Sequence, residues 1–196
     1  MAVFPVFLKL SGRRVLVVGG GPVAAGKLRA LVDAEALITV VAPHVVDAIA
    51  TAAPGTVEIL RRPFRPEDLD DVWYVVAAAP PEVNRQVAAA AHARKIFVNA
   101  VDDLENASAY AGAILRRAGV TIALSTDGEA PAIAGLLREG LEAVLPEDLD
   151  VWMARARDAR KQWLADGVPM EQRRPLLLEA LWKLYETRSA AAVGRA

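Results

Sequence analysis

Three consecutive glycines, Gly19 to Gly21, stand between an apolar run, VLVV at 15–18, and a segment whose apolar positions recur at helical spacing. Glycine contributes no side chain to a core and is costly to order, so a cluster at a strand-to-helix junction marks a place where something approaches the main chain closely. A dinucleotide-type phosphate turn needs one glycine for the sharp turn and a second where the pyrophosphate nears the backbone. It then needs a small residue where helix packs on strand. Gly19, Gly21 and Ala24 occur in that order. The amide groups opening the following helix would face an anion with their partial positive charge. Gly19, Gly20, Gly21, Pro22, Val23 and Ala24 are therefore candidate cofactor-binding residues.

The glycine turn is followed by regular alternation. Apolar and β-branched runs predict strands at 14–19, 38–43, 57–60, 73–79, 96–103 and 119–126. Between them lie helical patterns at 23–32 (Val23, Ala24, Leu28, Leu31, Val32), at 46–53 and at 80–95, with a helix start in RPEDL at 65–69. Such alternation builds an α/β fold, a Rossmann-like doubly wound parallel sheet. The candidate cofactor set also includes Ala42 and Pro43 where strand two ends, Ala78 and Ala79 where strand four ends, and Asn99 in strand five. An acid is expected at the end of strand two to hold the adenosine ribose hydroxyls. ITVVAPHVV offers none before Asp47, so this position does not decide between NAD and NADP.

After STDGEAP the character changes. Residues 133–145 place Ile133, Leu136, Leu137, Leu141, Val144 and Leu145 on one face of an amphipathic helix that no strand follows. Beyond Pro146 the pattern is helical and charge-rich, and the small-residue tail at 189–196 is expected to fray. The four tryptophans fit core packing better than stacking on bases.

Charge narrows the function classes. With 23 Lys and Arg against 24 Asp and Glu, the net charge of −1 provides no global field for nucleic acid. The absence of cysteine excludes disulfides, thiolate zinc sites and cysteine nucleophiles. His44 and His92 have no companions at ligand spacing, so no metal site is expected. No apolar run approaches the roughly 18 residues of a membrane span. The first charges follow the apolar N-terminal stretch, the reverse of a signal peptide, so a cytoplasmic protein is expected.

Five segments run in order from residue 4 to residue 142: FPVFLKLSGRRVLVVGGGPVAAGK, ITVVAP, NRQVAAAAHARKIFVNAVDD, ENASAY and RRAGVTIALSTDGEAPAIAGLLREGLE. Their order and spacing resemble the precorrin-2 dehydrogenase family, the amino-terminal module of siroheme synthases, which makes sirohydrochlorin and in some members inserts iron. The resemblance implies NAD as cofactor, precorrin-2 as substrate and a homodimer, with ferrous ion a further substrate where chelation occurs. It implies an NAD-binding domain at 1–112, a dimerisation and substrate segment at 113–146 and a small helical domain at 147–196. Asp102 falls at the family's catalytic aspartate, the proposed base in dehydrogenation. The sequence departs from the family pattern at Gly26, Glu35, Ala79, Pro80, Glu129 and in Tyr110-Ala111-Gly112.

Loss of a hydride from a reduced tetrapyrrole leaves electron-poor carbon, and loss of a proton to a nearby base completes the new double bond. A carboxylate at a strand's carboxyl end suits that task, although paired aspartates also cap turns. A polycarboxylate substrate calls for arginines and anion cradles. Arg116, Arg117, Arg138, Ser125 and Gly128 are the substrate-binding candidates, in segments that the resemblance places near substrate. Two further readings stay open: a nucleotide-sensing regulatory module, and a scaffold that binds cofactor without chemistry.

Overall fold

The computed structural model describes residues 3–52 and 55–193, with side chains through Lys183. The chain divides into two compact units. One holds the residues up to Ala111 together with Asp127–Glu129; the other holds Gly112–Thr126 and the residues from Ala130 on.

The first unit is a five-stranded parallel sheet in the order β3-β2-β1-β4-β5. Its elements are β1 (Arg14–Val18), α1 (Pro22–Asp33), β2 (Leu37–Val41), α2 (Asp47–Ala50), β3 (Val57–Leu60), β4 (Tyr74–Ala77), α3 (Pro81–Ala93) and β5 (Phe97–Ala100). Both faces of the sheet are covered, which is why its strands read as unbroken apolar runs. Val15, Val17, Val40 and Val76 pack with Ala24, Leu28 and Leu31 of α1. Leu16, Val18, Val75 and Val98 pack with Val87, Ala88 and Ala91 of α3.

The ends of elements differ from expectation for local reasons. The helix expected at 46–53 is the short α2, and residue 53 lies outside the described residues. The RPEDL segment forms one 3-10 turn, Pro66–Leu69, rather than a longer helix. Its start is held by Asp68, whose carboxylate accepts the Arg65 amide at 2.8 Å and the two terminal guanidinium nitrogens of Arg62, Nη1 and Nη2. β5 stops at Ala100, three residues short of the expected strand, because Asp102 turns the chain with φ 56°. Glu35, where the family pattern has a glycine, takes φ 57° after α1. Its carboxylate accepts the Ser11 hydroxyl at 2.8 Å, which helps offset the cost of that conformation.

Residues 107–109 run along β5. The Ser108 and Ala109 amides donate to the Val98 carbonyl at 2.9 and 3.0 Å, and the Val98 amide donates to the Ser108 hydroxyl at 3.0 Å. The ENASAY stretch thus covers an edge strand that would otherwise present unpaired main chain.

In the second unit the strand expected at 119–126 is one arm of an antiparallel hairpin and is not part of the parallel sheet. β6 (Ala113–Arg117) pairs with β7 (Val120–Leu124), and the turn residues Ala118 and Gly119 both have positive φ, 52° and 81°. Two left-handed residues match the twist of a tight hairpin. Three helices follow: α4 (Pro131–Val144), α5 (Leu149–Ala165) and α6 (Met170–Val193). The tail expected to fray is helical through Val193, and residues 194–196 lie outside the described residues. Trp73 and Trp182 are exposed rather than core residues; Trp73 lies under the Arg13 guanidinium at 3.9 Å. Among the described residues no helix is long and apolar enough to cross a membrane.

Candidate active site

The glycine turn sits at the carboxyl end of β1, the central strand, and the three glycines meet different surroundings. A Cβ on Gly19, whose φ is 128°, would lie 2.1 Å from the Ala78 carbonyl oxygen; one on Gly20 would lie 1.9 Å from the His44 carbonyl oxygen. Gly21 has nothing within 4 Å of that position. Gly19 and Gly20 are therefore demanded by the turn's packing on the ends of β4 and β2, and only Gly21 faces open space. The lacing is main chain: the Gly19 amide donates to Val41, the Ala78 amide to Val18 and the Val46 amide to Gly20, at 2.8 to 3.0 Å.

Gly21 is the N-cap of α1 and Pro22 its first residue. Proline has no amide to leave unpaired, so the first-turn amides of Val23 and Ala24 are the donors this end presents. Ala24 is fully buried against the sheet, whereas Val23 is half exposed. Beyond β2, Ala42 is buried with its amide on the Leu60 carbonyl at 3.2 Å, and Pro43 is exposed. Beyond β4, Ala78 and Ala79 are partly buried. The Ala79 amide donates to Asn84 Oδ1 at 2.9 Å, so the buried Asn84 of α3 fixes this loop.

Asn99 occupies β5 in register with Val76. Its neighbours Val98 and Ala100 face α3, so alternation turns Asn99 to the α1 side. Asn99 is 6% exposed; Nδ2 donates to the Ala109 carbonyl at 3.0 Å, and Oδ1 is buried with no partner. An unmet acceptor of this kind costs about 1–3 kcal/mol. Open space at Gly21, free first-turn amides and this orphaned acceptor suit a nicotinamide dinucleotide lying over the carboxyl ends of the strands.

The two aspartates after β5 have separate fates. Asp103 accepts the Asn106 side-chain amide at 3.0 and 2.8 Å and the Asn106 main-chain amide at 3.2 Å. Capping the turn is thus the work of Asp103. Asp102 is exposed, with no hydrogen bond or ion pair for its carboxylate among the described residues. Two residues on, Leu104 packs at Gly128, where a Cβ would stand 2.1 Å from Leu104 Cδ2. Asp102 and Gly128 are thereby brought into one loop cluster.

The remaining substrate candidates belong to the second unit. Arg117 donates to the carbonyls of Glu142 (3.5 Å), Leu145 (3.3 Å) and Pro146, closing the end of α4. Arg138 pairs with Glu142 at 2.9 Å and Glu139 at 3.2 Å. Arg116 is exposed on β6 without a partner among the described residues, and Ser125 is exposed just past β7. No group of three or more potential metal ligands occurs among the described residues. Sequence reasoning missed Asn84, Leu104 and Asn106. An asparagine in the first turn of a proline-started helix and one three residues after an aspartate are turn-fixing patterns that could have flagged the first and third.

A family model for NAD(P)-binding matches residues 6–113. This chain belongs to that family. Relatives include siroheme synthase 3 of Aeromonas hydrophila subsp. hydrophila, 42% identical over 176 residues, which are 89% of this chain and 38% of that protein. The siroheme synthase of Photorhabdus laumondii is 40% identical, over 89% of this chain and 37% of its own length. The chain thus spans well under half the length of these curated relatives. The solved structure of SirC, precorrin-2 dehydrogenase, superposes with a TM-score of 0.69 at 28% identity, covering 90% of this chain and 88% of that one. Membership of the family and the likeness to a dehydrogenase support a nicotinamide cofactor for this chain.

Proposed function

We propose that this chain oxidises precorrin-2 to sirohydrochlorin with NAD as acceptor, as a homodimer in the cytoplasm. Precorrin-2 gives up two hydrogens, one as hydride and one as a proton, so the products are sirohydrochlorin, NADH and a proton. A bound nicotinamide dinucleotide supplies the hydride acceptor. The chain's residues hold and orient it: Gly21 admits the pyrophosphate, the Val23 and Ala24 amides donate to it, and Asn99 Oδ1 accepts a donor from the ligand. Asp102 takes the proton that leaves the macrocycle.

The observation that carries this reading is the division of labour after β5. One carboxylate is consumed in holding the turn, and the next one back stands exposed at the strand's carboxyl end on a left-handed residue. Relatives that are siroheme synthases and a structural neighbour that is a precorrin-2 dehydrogenase support the choice of substrate.

The test is anaerobic incubation with precorrin-2 and NAD. NADH and sirohydrochlorin should appear together. Asp102→Asn keeps a residue that tolerates the left-handed conformation and removes only the base, so it should lower kcat by at least about a hundredfold with the fold unchanged. Full activity in that variant would remove Asp102 from the chemistry. No NADH from the folded wild-type chain would leave a non-catalytic binding scaffold. Iron insertion would call on the same carboxylate, and equal rates of sirohydrochlorin metallation with and without the chain would exclude it.

A further inference from the structure

Resting on the dinucleotide site and the reaction proposed above, we infer that Asn84 is a positioning residue for hydride transfer. By holding the loop after β4 through the Ala79 amide, it sets where the nicotinamide ring lies between the glycine turn and Asp102. In the order β3-β2-β1-β4-β5 the topology reverses at β1, and a dinucleotide lies across that crevice. With its pyrophosphate at the β1–α1 turn, one half extends over β2 and β3 and the other over β4 and β5. Asp102 follows β5, so the ring that takes the hydride belongs to the half over β4 and β5.

Residues 77–79 are tied on both sides. The Ala78 amide donates to the Val18 carbonyl at 2.8 Å, and the Ala78 carbonyl oxygen abuts Gly19 so closely that no Cβ fits between them. On the other side the Val101 amide donates to the Ala77 carbonyl at 2.9 Å, one residue before Asp102. A shift of this segment therefore moves the glycine turn and Asp102 relative to each other.

The tip of the loop has few groups of its own to hold it. Ala78 and Ala79 have no polar side chain, and Pro80 and Pro81 have no amide, so Ala79 carries the only main-chain donor in residues 79–81. The Val83 and Asn84 amides both return to the Pro80 carbonyl, at 2.9 and 3.0 Å, and so secure the start of α3 rather than the loop. Asn84 Oδ1 reaches back past Pro80, the N-cap of the helix, and accepts the Ala79 amide at 2.9 Å. Asn84 is 4% exposed, and its helix is firmly seated: Val87, Ala88 and Ala91 are fully buried in the cluster that includes Val75, Ala77 and Val98. A buried side chain on a packed helix is a fixed point. It holds the loop before any ligand arrives, which is the preorganisation that transfer between two closely placed carbons requires.

Calorimetric titration of the full chain with ADP-ribose and with NAD separates the nicotinamide ring from the rest of the ligand without any turnover. In Asn84→Ala, ADP-ribose should bind within about twofold of wild type and NAD should weaken by roughly tenfold, because only NAD carries the ring. With precorrin-2 and saturating NAD, kcat should fall by at least about tenfold. Asn84→Asp keeps an acceptor of the same reach near the start of a helix, where a carboxylate is favoured, and should restore NAD binding and kcat to within about threefold. Equal weakening of both ligands in Asn84→Ala, or a loss of stability in urea with binding and kcat unchanged, would overturn the inference while leaving the cofactor site intact. Hydrogen exchange in the ligand-free wild-type chain reads the contact without a variant. The Ala79 amide should be protected, and exchange at the rate of an open loop would also overturn the inference. Binding of neither ligand by folded wild-type protein would overturn the cofactor site and this inference together.

Discussion

Gly19, Gly20 and Gly21 illustrate how adjacent identical residues answer to different forces. The first two are fixed by main chain approaching from Ala78 and His44, while the third borders empty space. Gly20→Ala must push a Cβ against a carbonyl oxygen that would lie only 1.9 Å away. It should cost about 2 kcal/mol or more in urea unfolding, because backbone on both sides must move. Gly21→Ala starts from φ −87°, an ordinary conformation for alanine. It should change stability by less than about 1 kcal/mol and instead weaken ADP-ribose binding in a calorimetric titration, since its methyl group occupies the space left for the ligand. The order of small residues in this turn is legible in the sequence. Which glycine faces the ligand is not, because that depends on strand ends that arrive from positions far along the chain. Asp102 and Asp103 follow the same logic: two equivalent letters are told apart only once Asn106 is seen to claim the second.

At the level of elements, the apolar runs announce the five parallel strands, but they leave open where each strand stops and which element comes next. The hairpin of β6 and β7 was half hidden because its turn is Ala118-Gly119, without the asparagine or aspartate that usually marks two left-handed residues. The 3-10 turn after β3 is held at its start by an electrostatic clasp. Burial alone would raise the Asp68 carboxyl, but hydrogen bonds from the Arg62 side chain and the Arg65 amide outweigh it and hold the group below the usual carboxylate range. A carboxyl whose folded value lies below its unfolded one stabilises the fold above the unfolded value, and that contribution is lost as pH falls through the folded value. Denaturation across a pH series should accordingly show the Arg62–Asp68 clasp contributing at neutral pH and fading below about pH 4. Asp68→Asn should be less stable than wild type at pH 7, and the two should converge in acid. A constant difference down the whole series would mean that the loss came from packing rather than from the charge.

For the molecule as a whole, the open question is what covers α4. Its apolar period is plain in the sequence, yet within its own unit only Ala134 is buried, and Leu136, Leu137 and Val144 are 63%, 52% and 74% exposed. Burying a leucine of this kind contributes about 1.5–3 kcal/mol, so a stripe of this size left in water is a substantial loss that a second copy of the chain would recover. The homodimer proposed above should therefore form through this helix. Sedimentation at micromolar concentration should give the mass of two chains, and Leu136→Glu combined with Leu137→Glu should give the mass of one. Both positions face water in the single chain, so the variant should keep the wild-type circular dichroism and separate loss of pairing from loss of fold. A wild-type mass of one chain that does not change with concentration would leave the stripe to a different partner and would remove the dimer from the proposed function, without touching the dinucleotide site at the end of β1.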